Sequence, residues 1–253
     1  MRGLRGALTL LTRIPVGRNA RFQEELVGSA KWFPVVGALV GIVVGATYAL
    51  VAQMLPFLAA GLVAVLVGVM TSGGLHEDGL GDVADAFGGG KDPGDVARIL
   101  KDPGQGTFGV LAIAGGLFLR SAALGSMSPM DGLAMAVAAH AMGRAAVVFA
   151  MRFYQPAGAG LGARYSSAVR RIDLVVALCL GVGIGAVASG VWVMAALAIA
   201  LAAVGAIGQL ALKKLGGLNG DVLGAVEQVA ESAILVLGAA IAHQSWIGPA
   251  WWS

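Results

Sequence analysis

The chain has little charge and a single cysteine, and each shortage excludes a class of protein. Of its 253 residues 17 are basic, 14 are acidic and 58% are apolar. A soluble domain carries about twice this charged fraction, so a soluble globular protein is excluded. Cys179 alone can form neither an internal disulfide nor a thiolate zinc site. The 40 glycines follow no Gly-X-Y period, which excludes collagen and leaves an integral membrane protein.

Long uncharged runs predict the membrane spans. No Asp, Glu, Lys or Arg occurs from Trp32 to His76, which is enough for two crossings of about 20 residues, divided at Pro56. Further spans are predicted at about 108–127, 132–151 and 222–242, and the run 174–212 should hold two more, broken near Gly190. We therefore expect an all-α polytopic protein of about seven transmembrane helices, forming one membrane-embedded domain over residues 1–253.

The basic residues predict the orientation. Apart from Arg120 and Arg144 they fall outside the spans, in segments 1–31, 73–106, 152–172 and 213–221, which all lie on one side. The positive-inside rule places this side, including the N-terminus, in the cytoplasm. We expect an inner-membrane protein in contact with the lipid bilayer and without a nucleic-acid partner. Glycine-rich helices pack within one chain or between copies, so both a monomer and a homo-oligomer are compatible with the sequence.

The N-terminal segment has the pattern of an amphipathic helix. One helical face carries leucine and isoleucine and the other carries arginine, as in helices that lie in an anionic membrane interface. A plain positively charged anchor is the alternative. The apolar face consists of Leu4, Leu8, Leu11 and Ile14, and the basic face of Arg2, Arg5 and Arg13.

Half of the acidic residues, seven of fourteen, occur between residues 76 and 102. On a helix Asp78, Asp82 and Asp85 would fall within about 60° of one another, while Glu77 would point about 100° away. Carboxylates this close repel each other unless a cation intervenes, and oxygen ligands favour Mg²⁺ or Mn²⁺. A solvated acidic helix face is the alternative. His76 at the start of the cluster is a candidate base or ligand, or a capping residue.

Two glycine-rich segments precede predicted spans. The segment 101–109 combines Lys101 with three glycines, whose exposed backbone amides suit a phosphate, although such residues also form ordinary turns. The segment 216–221 ends in Asp221, a candidate helix cap. With the acidic cluster, both segments are predicted on the cytoplasmic side, as a single active site requires.

Two glutamates are expected inside the last span. Glu227 and Glu231 share one face of an apolar helix, where carboxylates are costly and point to a polar interior. Arg120 and Arg144 are their predicted partners, or else ligands of a phosphate.

Several motifs, in the right order, resemble the adenosylcobinamide-GDP ribazoletransferase family, also called cobalamin synthase or cobalamin 5'-phosphate synthase. Glu77, where the family usually has leucine, and Ala86, where it often has glycine, depart from the pattern. The motifs are T-R-I-P at 12–15, F-P-x-x-G-x-x-x-G at 33–41, G-G-x-H-x-D-G-x-x-D-x-x-D at 73–85, K-D-P-x-x-G-x-F-G at 101–109, G-R at 143–144, G-L-G at 160–162 and G-D-x-x-G-A-x-E at 220–227.

The resemblance implies a magnesium-dependent phosphoryl transfer. In that reaction α-ribazole or its 5'-phosphate displaces GMP from adenosylcobinamide-GDP. The implied catalytic loop spans 73–106, with Asp82 or His76 as the proton acceptor. The implied metal ligands are Asp78, Asp82, Asp85 and Asp221. The implied substrate-binding residues are Lys101, Asp102, Gly104, Gly106, Arg144, Asn219 and Glu227.

Two other functions share some of these features. A CDP-alcohol phosphotransferase also uses spaced aspartates, but its Ala-Arg pair is missing after Asp78-Gly79. An ion-coupled transporter would use the intramembrane charged residues as a relay, yet the strongest acidic cluster lies in a loop.

Overall fold

The structure is a computed structural model that describes residues 2–16, 28–158 and 160–244. This part contains eleven α-helices and no strand, apart from one isolated bridge between Pro156 and Leu218. The all-α prediction is therefore confirmed. The helices are α1 (Arg2–Leu11), α2 (Phe33–Val51), α3 (Phe57–Ser72), α4 (Leu75–Gly89), α5 (Pro93–Ile99), α6 (Thr107–Gly125), α7 (Pro129–Phe153), α8 (Leu161–Ala168), α9 (Arg171–Ser189), α10 (Val193–Leu215) and α11 (Gly220–Gln244).

A helix lies at each of the seven places where a span is predicted. Five stretches are long and apolar enough to cross a membrane, and the pair α3 and α4 adds a sixth when it is counted as one bent span. The 45-residue stretch Arg171–Leu215 counts once, although Gly190 divides it into α9 and α10. The protein is thus a polytopic membrane protein with five to six candidate spans, and the number seven stays a prediction.

Helix α7 is the centre of the bundle. In the most apolar stretch of 18 residues of α7, 83% of the residues are buried, against 28% in the corresponding stretch of α6. Helices α2, α9 and α11 pack around it. A Cβ atom at Gly37 or Gly41 of α2 would overlap with the α7 backbone at His140 or Ala136. Glycine at these two positions therefore permits the close helix packing that is common in membranes.

The chain bends by 94° between α3 and α4. Gly73 and Gly74 form the bend with φ angles of 74° and 71°, in the left-handed region. Other residues adopt this region at a cost of about 1–2 kcal/mol, so two successive glycines make the bend accessible. The bend directs α4 against α6 and α11 instead of along the axis of α3.

The three predicted motifs meet at one end of the bundle. We call this end the polar face and define it as α1, α4, α5, α8, the loop 100–106 and the turn 216–219. Gly79 of α4 lies against the backbone of Asp221, and the amide of Gly106 donates to Asp85. The prediction that the motifs share one side is confirmed.

Helix α1 packs on the rest of the protein. Leu11 is buried and Leu8 is partly buried against the core. After the helix, the amide of Arg13 donates to the carbonyl of Thr71 over 2.8 Å. The amphipathic helix is thus present, but part of its apolar face contacts protein, and Ile14 lies beyond its end with 44% exposure.

Candidate active site

Helix α4 carries the three predicted metal-binding aspartates on one face. Asp78, Asp82 and Asp85 occupy positions i, i+4 and i+7, which a helix aligns. Asp78 is exposed and the other two are half-buried. Glu77, which the helical spacing separates from this face, is buried elsewhere. The helix confirms the predicted alignment, while the metal-binding role stays a prediction.

The glycine-rich loop is hydrogen-bonded to the same aspartates. The side-chain amide of Gln105 donates to Asp82 Oδ1 over 2.7 Å. The backbone amides of Gly106 and Gly109 donate to the two oxygens of Asp85 over 2.7 and 2.9 Å. A Cβ atom at Gly109 would overlap with the Asp85 carboxylate. Asp85 therefore places a negative charge at the start of α6, where the helix dipole favours it. The same two hydrogen bonds connect the loop to α4.

The start of α11 brings a fourth carboxylate to α4. Asn219 caps the helix, because its Oδ1 accepts the amide of Val222 over 2.9 Å. Its side-chain amide donates to Asp221 Oδ2 over 2.8 Å. A Cβ atom at Gly79 would lie 2.7 Å from the Asp221 carbonyl oxygen, so α4 and α11 are in backbone contact. Since Asn219 caps the helix, the Asp221 carboxylate is not needed for capping and remains available to bind a ligand.

Negative charge is concentrated at these four carboxylates. Burial raises the pKa of Asp82; the hydrogen bond from Gln105 opposes this, and the charges of Asp78 and Asp85 raise it further. Within the described ranges no ion pair joins these three aspartates or Asp221 to a basic side chain. Among the described residues the site is a set of oxygen donors without a basic partner, and oxygen is the donor type that hard divalent cations such as Mg²⁺ prefer. No three of these carboxylates bring an oxygen within 4.8 Å of one another, so the structure gathers the donors in one region without forming a closed ligand set.

Three cavities adjoin two of the carboxylates. A cavity of about 570 Å³ is lined by Asp78 and Gln105. A second of about 640 Å³ is lined by Asp221, Asn219 and Lys101. A third of about 200 Å³ is lined by both Asp78 and Asp221. Two different substrates could therefore meet beside the same carboxylates.

The four predicted residues of the phosphate-binding loop differ in whether they line these cavities or shape the loop. Lys101 lines the cavity of about 640 Å³. Asp102 Oδ1 accepts the amide of Gly104 over 2.9 Å, so these two residues shape the turn. The Gly106 amide is bonded to Asp85. Of the four predicted residues, Lys101 is the one best placed to meet an anion.

A second group of charged and polar side chains is buried between four helices. Each of its members is at most 7% exposed. We call it the buried cluster, and it consists of His76 and Glu77 on α4, Arg120 on α6, His140 and Arg144 on α7, and Glu227, Gln228 and Glu231 on α11.

The two arginines hold the buried cluster together. Arg120 bonds Glu77 over 3.0 Å and Glu231 over 2.9 Å. Arg144 bonds both Glu227 and Glu231. The predicted pairing of these arginines with the glutamates of the last span is confirmed. Glu77 was not predicted to join them.

The two histidines complete the buried cluster. His140 Nδ1 lies 2.5 Å from Glu231 Oε2, and His76 Nδ1 lies 3.3 Å from Glu227 Oε2. His76 also lines the cavity of about 200 Å³. It therefore connects the buried cluster with the cavity beside the aspartates.

The buried cluster also contains a candidate metal site. Donor atoms of His140, Glu227 and Glu231 lie within 4.8 Å of one another, the one such group among the described residues. However, the guanidinium of Arg144 bonds both glutamates and lies 2.7 Å from His140 Nδ1. The positive charge that these carboxylates require is already present, whereas no described basic side chain pairs with the aspartates of α4.

The structure separates the predicted site residues into two sets. Asp78, Asp221, Lys101 and Asn219 line the cavities of the polar face. Asp82 and Asp85 lie on the same face of α4 as Asp78. Arg144 and Glu227, predicted to bind substrate, lie in the buried cluster. Sequence reasoning did not single out Gln105, which contacts Asp82. Its position inside the motif 101–109 was the available signal.

Comparison with known proteins agrees with the motifs. The model of the family described as cobalamin-5-phosphate synthase matches residues 3–239. A protein of Ralstonia pickettii (strain 12J) named adenosylcobinamide-GDP ribazoletransferase is 37% identical over 242 residues, which cover 90% of this chain and 91% of that protein. One of the same name from Chlorobaculum tepidum (strain ATCC 49652 / DSM 12025 / NBRC 103806 / TLS) is 37% identical over 245 residues, covering 94% of each chain. No solved structure matches. A family match over nearly the whole length, with relatives of this identity and coverage, shows that the chain belongs to the cobalamin-5-phosphate synthase family.

Proposed function

We propose that this protein transfers the adenosylcobinamide phosphoryl group of adenosylcobinamide-GDP to α-ribazole or its 5'-phosphate, with release of GMP, in cobalamin biosynthesis. The observation that carries the proposal is the set of four carboxylates that have no basic partner in the described part of the chain, together with the three cavities that adjoin two of them. The relatives are named adenosylcobinamide-GDP ribazoletransferase, which supports this choice of the two substrates. In this reaction the ribazole 3'-hydroxyl attacks the phosphorus that carries the cobinamide arm, and GMP leaves.

Asp78, Asp82, Asp85 and Asp221 would hold Mg²⁺. When bound, the ion would neutralise charge on the pyrophosphate and on the departing phosphate. The donor chemistry supports this choice, because the described residues offer these carboxylates no other cation. Asp85 uses each oxygen for one backbone hydrogen bond and retains lone pairs for a second interaction.

Asp82 is the better supported of the two candidate proton acceptors. Its Oδ1 accepts the side-chain amide of Gln105, and among the described residues its Oδ2 has no hydrogen-bond donor, so this oxygen is able to take up a proton. His76 contacts Glu227 and Arg144 in the buried cluster. In this position its ring nitrogen Nδ1 is engaged by other charged groups. We therefore propose that Asp82 accepts the proton of the ribazole hydroxyl. His76 would instead hold α4 in position through its contacts with Glu227 and Arg144.

Lys101 and Asn219 would position the phosphates of the donor. Both line the cavity of about 640 Å³ together with Asp221. A lysine ammonium is a compact positive charge suited to a phosphate oxygen. Asp102, Gly104 and Gly106 would act through the shape of the loop. Arg144 and Glu227 would meet a substrate only after the buried cluster opens.

The polar face would lie in the cytoplasm, with the protein in the inner membrane. The support is the positive-inside distribution, since the basic residues outside the spans belong to segments on this side. Both substrates are polar molecules with phosphate or sugar groups. A site at the cytoplasmic surface would receive them directly from solution.

The test is GMP release from adenosylcobinamide-GDP by the purified protein in lipid nanodiscs. We expect release to require both α-ribazole and Mg²⁺, to stop with EDTA, and to fall at least 100-fold in Asp82→Asn. Asp95→Asn, which changes an acid of α5 outside the site, is the matched control and should retain the wild-type rate. Release that persists without α-ribazole, or that Asp82→Asn leaves unchanged, would contradict the proposal.

A further inference from the structure

The smallest of the three cavities is mostly apolar. It has a volume of about 200 Å³ and lies where the starts of α2, α4 and α11 meet α1, α7 and α8. Asp78 and Asp221 contribute to its lining, and so does His76. Most of the other lining side chains are apolar or aromatic: Leu10, Leu11, Phe33, Leu75, Val147, Met151, Tyr165 and Leu223.

Aromatic and sulfur-containing side chains line this cavity. The rings of Phe33 and Tyr165 lie with centroids 6.5 Å apart at an angle of 47°. Both residues are buried, as is Met151. Aromatic rings favour such tilted contacts with one another, and a methionine sulfur interacts well with a ring edge. The cavity therefore suits a planar aromatic group.

Its size distinguishes it from the two neighbouring cavities. Those measure about 570 and 640 Å³ and contain polar side chains such as Arg13, Gln105 and Lys101. Whole small-molecule sites usually measure about 300–1,000 Å³. A cavity of about 200 Å³ holds one ring system of a ligand and leaves the remainder outside.

Besides apolar side chains, the lining of the cavity includes glycine backbone and carboxylate groups. Gly162 packs against Gly220, and a Cβ atom at Gly162 would lie 2.6 Å from the Gly220 amide nitrogen. Asp78 and Asp221 add carboxylates that can accept hydrogen bonds from hydroxyl groups. A ligand with an aromatic base at one end and sugar hydroxyls at the other would match both parts.

We propose that this cavity, defined by Met151, Phe33 and Tyr165 with Asp78 and Asp221 beside them, binds the aromatic base of the acceptor nucleoside. The inference rests on the proposed function and names the subsite for one of its two substrates. The base would lie among the apolar side chains, and the ribose would extend towards the carboxylates. The donor, which is much larger, would occupy the two wider cavities.

The test fills the cavity with a larger side chain. In Met151→Trp we expect the KM for α-ribazole to rise at least tenfold, while the KM for adenosylcobinamide-GDP changes less than twofold. Equilibrium dialysis of radiolabelled α-ribazole, without the donor, should show the same loss of affinity. Met194→Trp, at a position of α10 that is 66% exposed, is the matched control and should bind like the wild type. If Met151→Trp does not fold, Val147→Phe, which lies one turn away in the same lining, takes its place.

The outcomes separate this inference from the proposed function. If the wild type releases GMP but the filled variant keeps its KM for α-ribazole, the subsite is wrong and the transfer reaction stands. If the wild type binds α-ribazole, the filled variant does not, and neither releases GMP, the subsite stands and the transfer reaction is wrong. A rise in the KM for the donor in place of the acceptor would also overturn the subsite.

Discussion

Replacing Arg120 by leucine would leave two buried glutamates without one of their partners. Arg120 is 4% exposed and bonds Glu77 over 3.0 Å and Glu231 over 2.9 Å. Glu77 would lose its ion pair, while Glu231 would retain Arg144 and His140. Removing one partner of a buried ion pair costs about 3–5 kcal/mol. We expect Arg120→Leu to lower the free energy of unfolding by this amount.

The opposite substitution should be much milder. Glu77 Oε2 is buried and has no hydrogen-bond partner in the described part of the chain. In Glu77→Leu, Arg120 retains its ion pair with Glu231. With the histidines counted as neutral, three glutamates and two arginines give the buried cluster a charge of −1, and the substitution brings it to zero. We expect a change below about 1 kcal/mol, because replacing buried charge by apolar side chains is often neutral. The double variant should recover at least half of the loss in Arg120→Leu.

The assay is unfolding in mixed micelles by SDS, followed by tryptophan fluorescence. Arg98→Leu is the matched control, because Arg98 pairs with Asp95 over 3.1 Å but is 68% exposed. Exposed pairs contribute about 0.2–1 kcal/mol. The reasoning fails if Arg120→Leu is as mild as Arg98→Leu, or if Glu77→Leu is as harmful as Arg120→Leu.

Two further predictions concern the polar face, and a third concerns the orientation of the bundle. Gly109→Ala should abolish GMP release, because its Cβ would overlap with the carboxylate of Asp85, which holds the loop. Gly115→Ala should be active, because among the described residues its Cβ would meet no atom within 4 Å beyond the adjacent backbone of its own helix. Lys214→Met should speed amide hydrogen exchange at the end of α4 about tenfold or more, because the Lys214 ammonium donates to the carbonyl of Phe87 there. Lys213→Met, at an exposed position, should leave this exchange unchanged, and equal exchange in the two variants would refute the role of Lys214 in holding the end of α4. In a chain without its native cysteine, Ser126→Cys, placed between α6 and α7, should react with a membrane-impermeant maleimide from outside intact cells, and protection there would reverse the orientation.

The helices could be predicted because hydrophobicity and chain breaks are local properties. Uncharged runs indicated the spans, and Pro56 and Gly190 lie at the predicted breaks. The 94° bend was not predicted, because it depends on two successive glycines that both adopt positive φ. A Gly-Gly pair in a sequence permits such angles and does not require them.

The site could be predicted in part for the same reason. The alignment of Asp78, Asp82 and Asp85 follows from helical periodicity alone. The pairing of Arg120 with Glu77 could not be predicted, because these residues lie 43 positions apart and meet only after the bend directs α4 against α6. Likewise Gln105 contacts Asp82 across 23 positions, which no local pattern encodes.

Helix α4 links the buried cluster to the site at the polar face. His76 and Glu77 on one side are held by groups from α6, α7 and α11, and Asp78 and Asp82 project from another side. A short helix is stiff, so a rotation that breaks the ion pairs would also displace the aspartates from Asp221. The buried charges are costly in an apolar bundle, and they fix the rotation of α4 in a way that interchangeable apolar contacts would not. In this way a cluster that does not face the wide cavities would control the position of Asp78, which lines one of them.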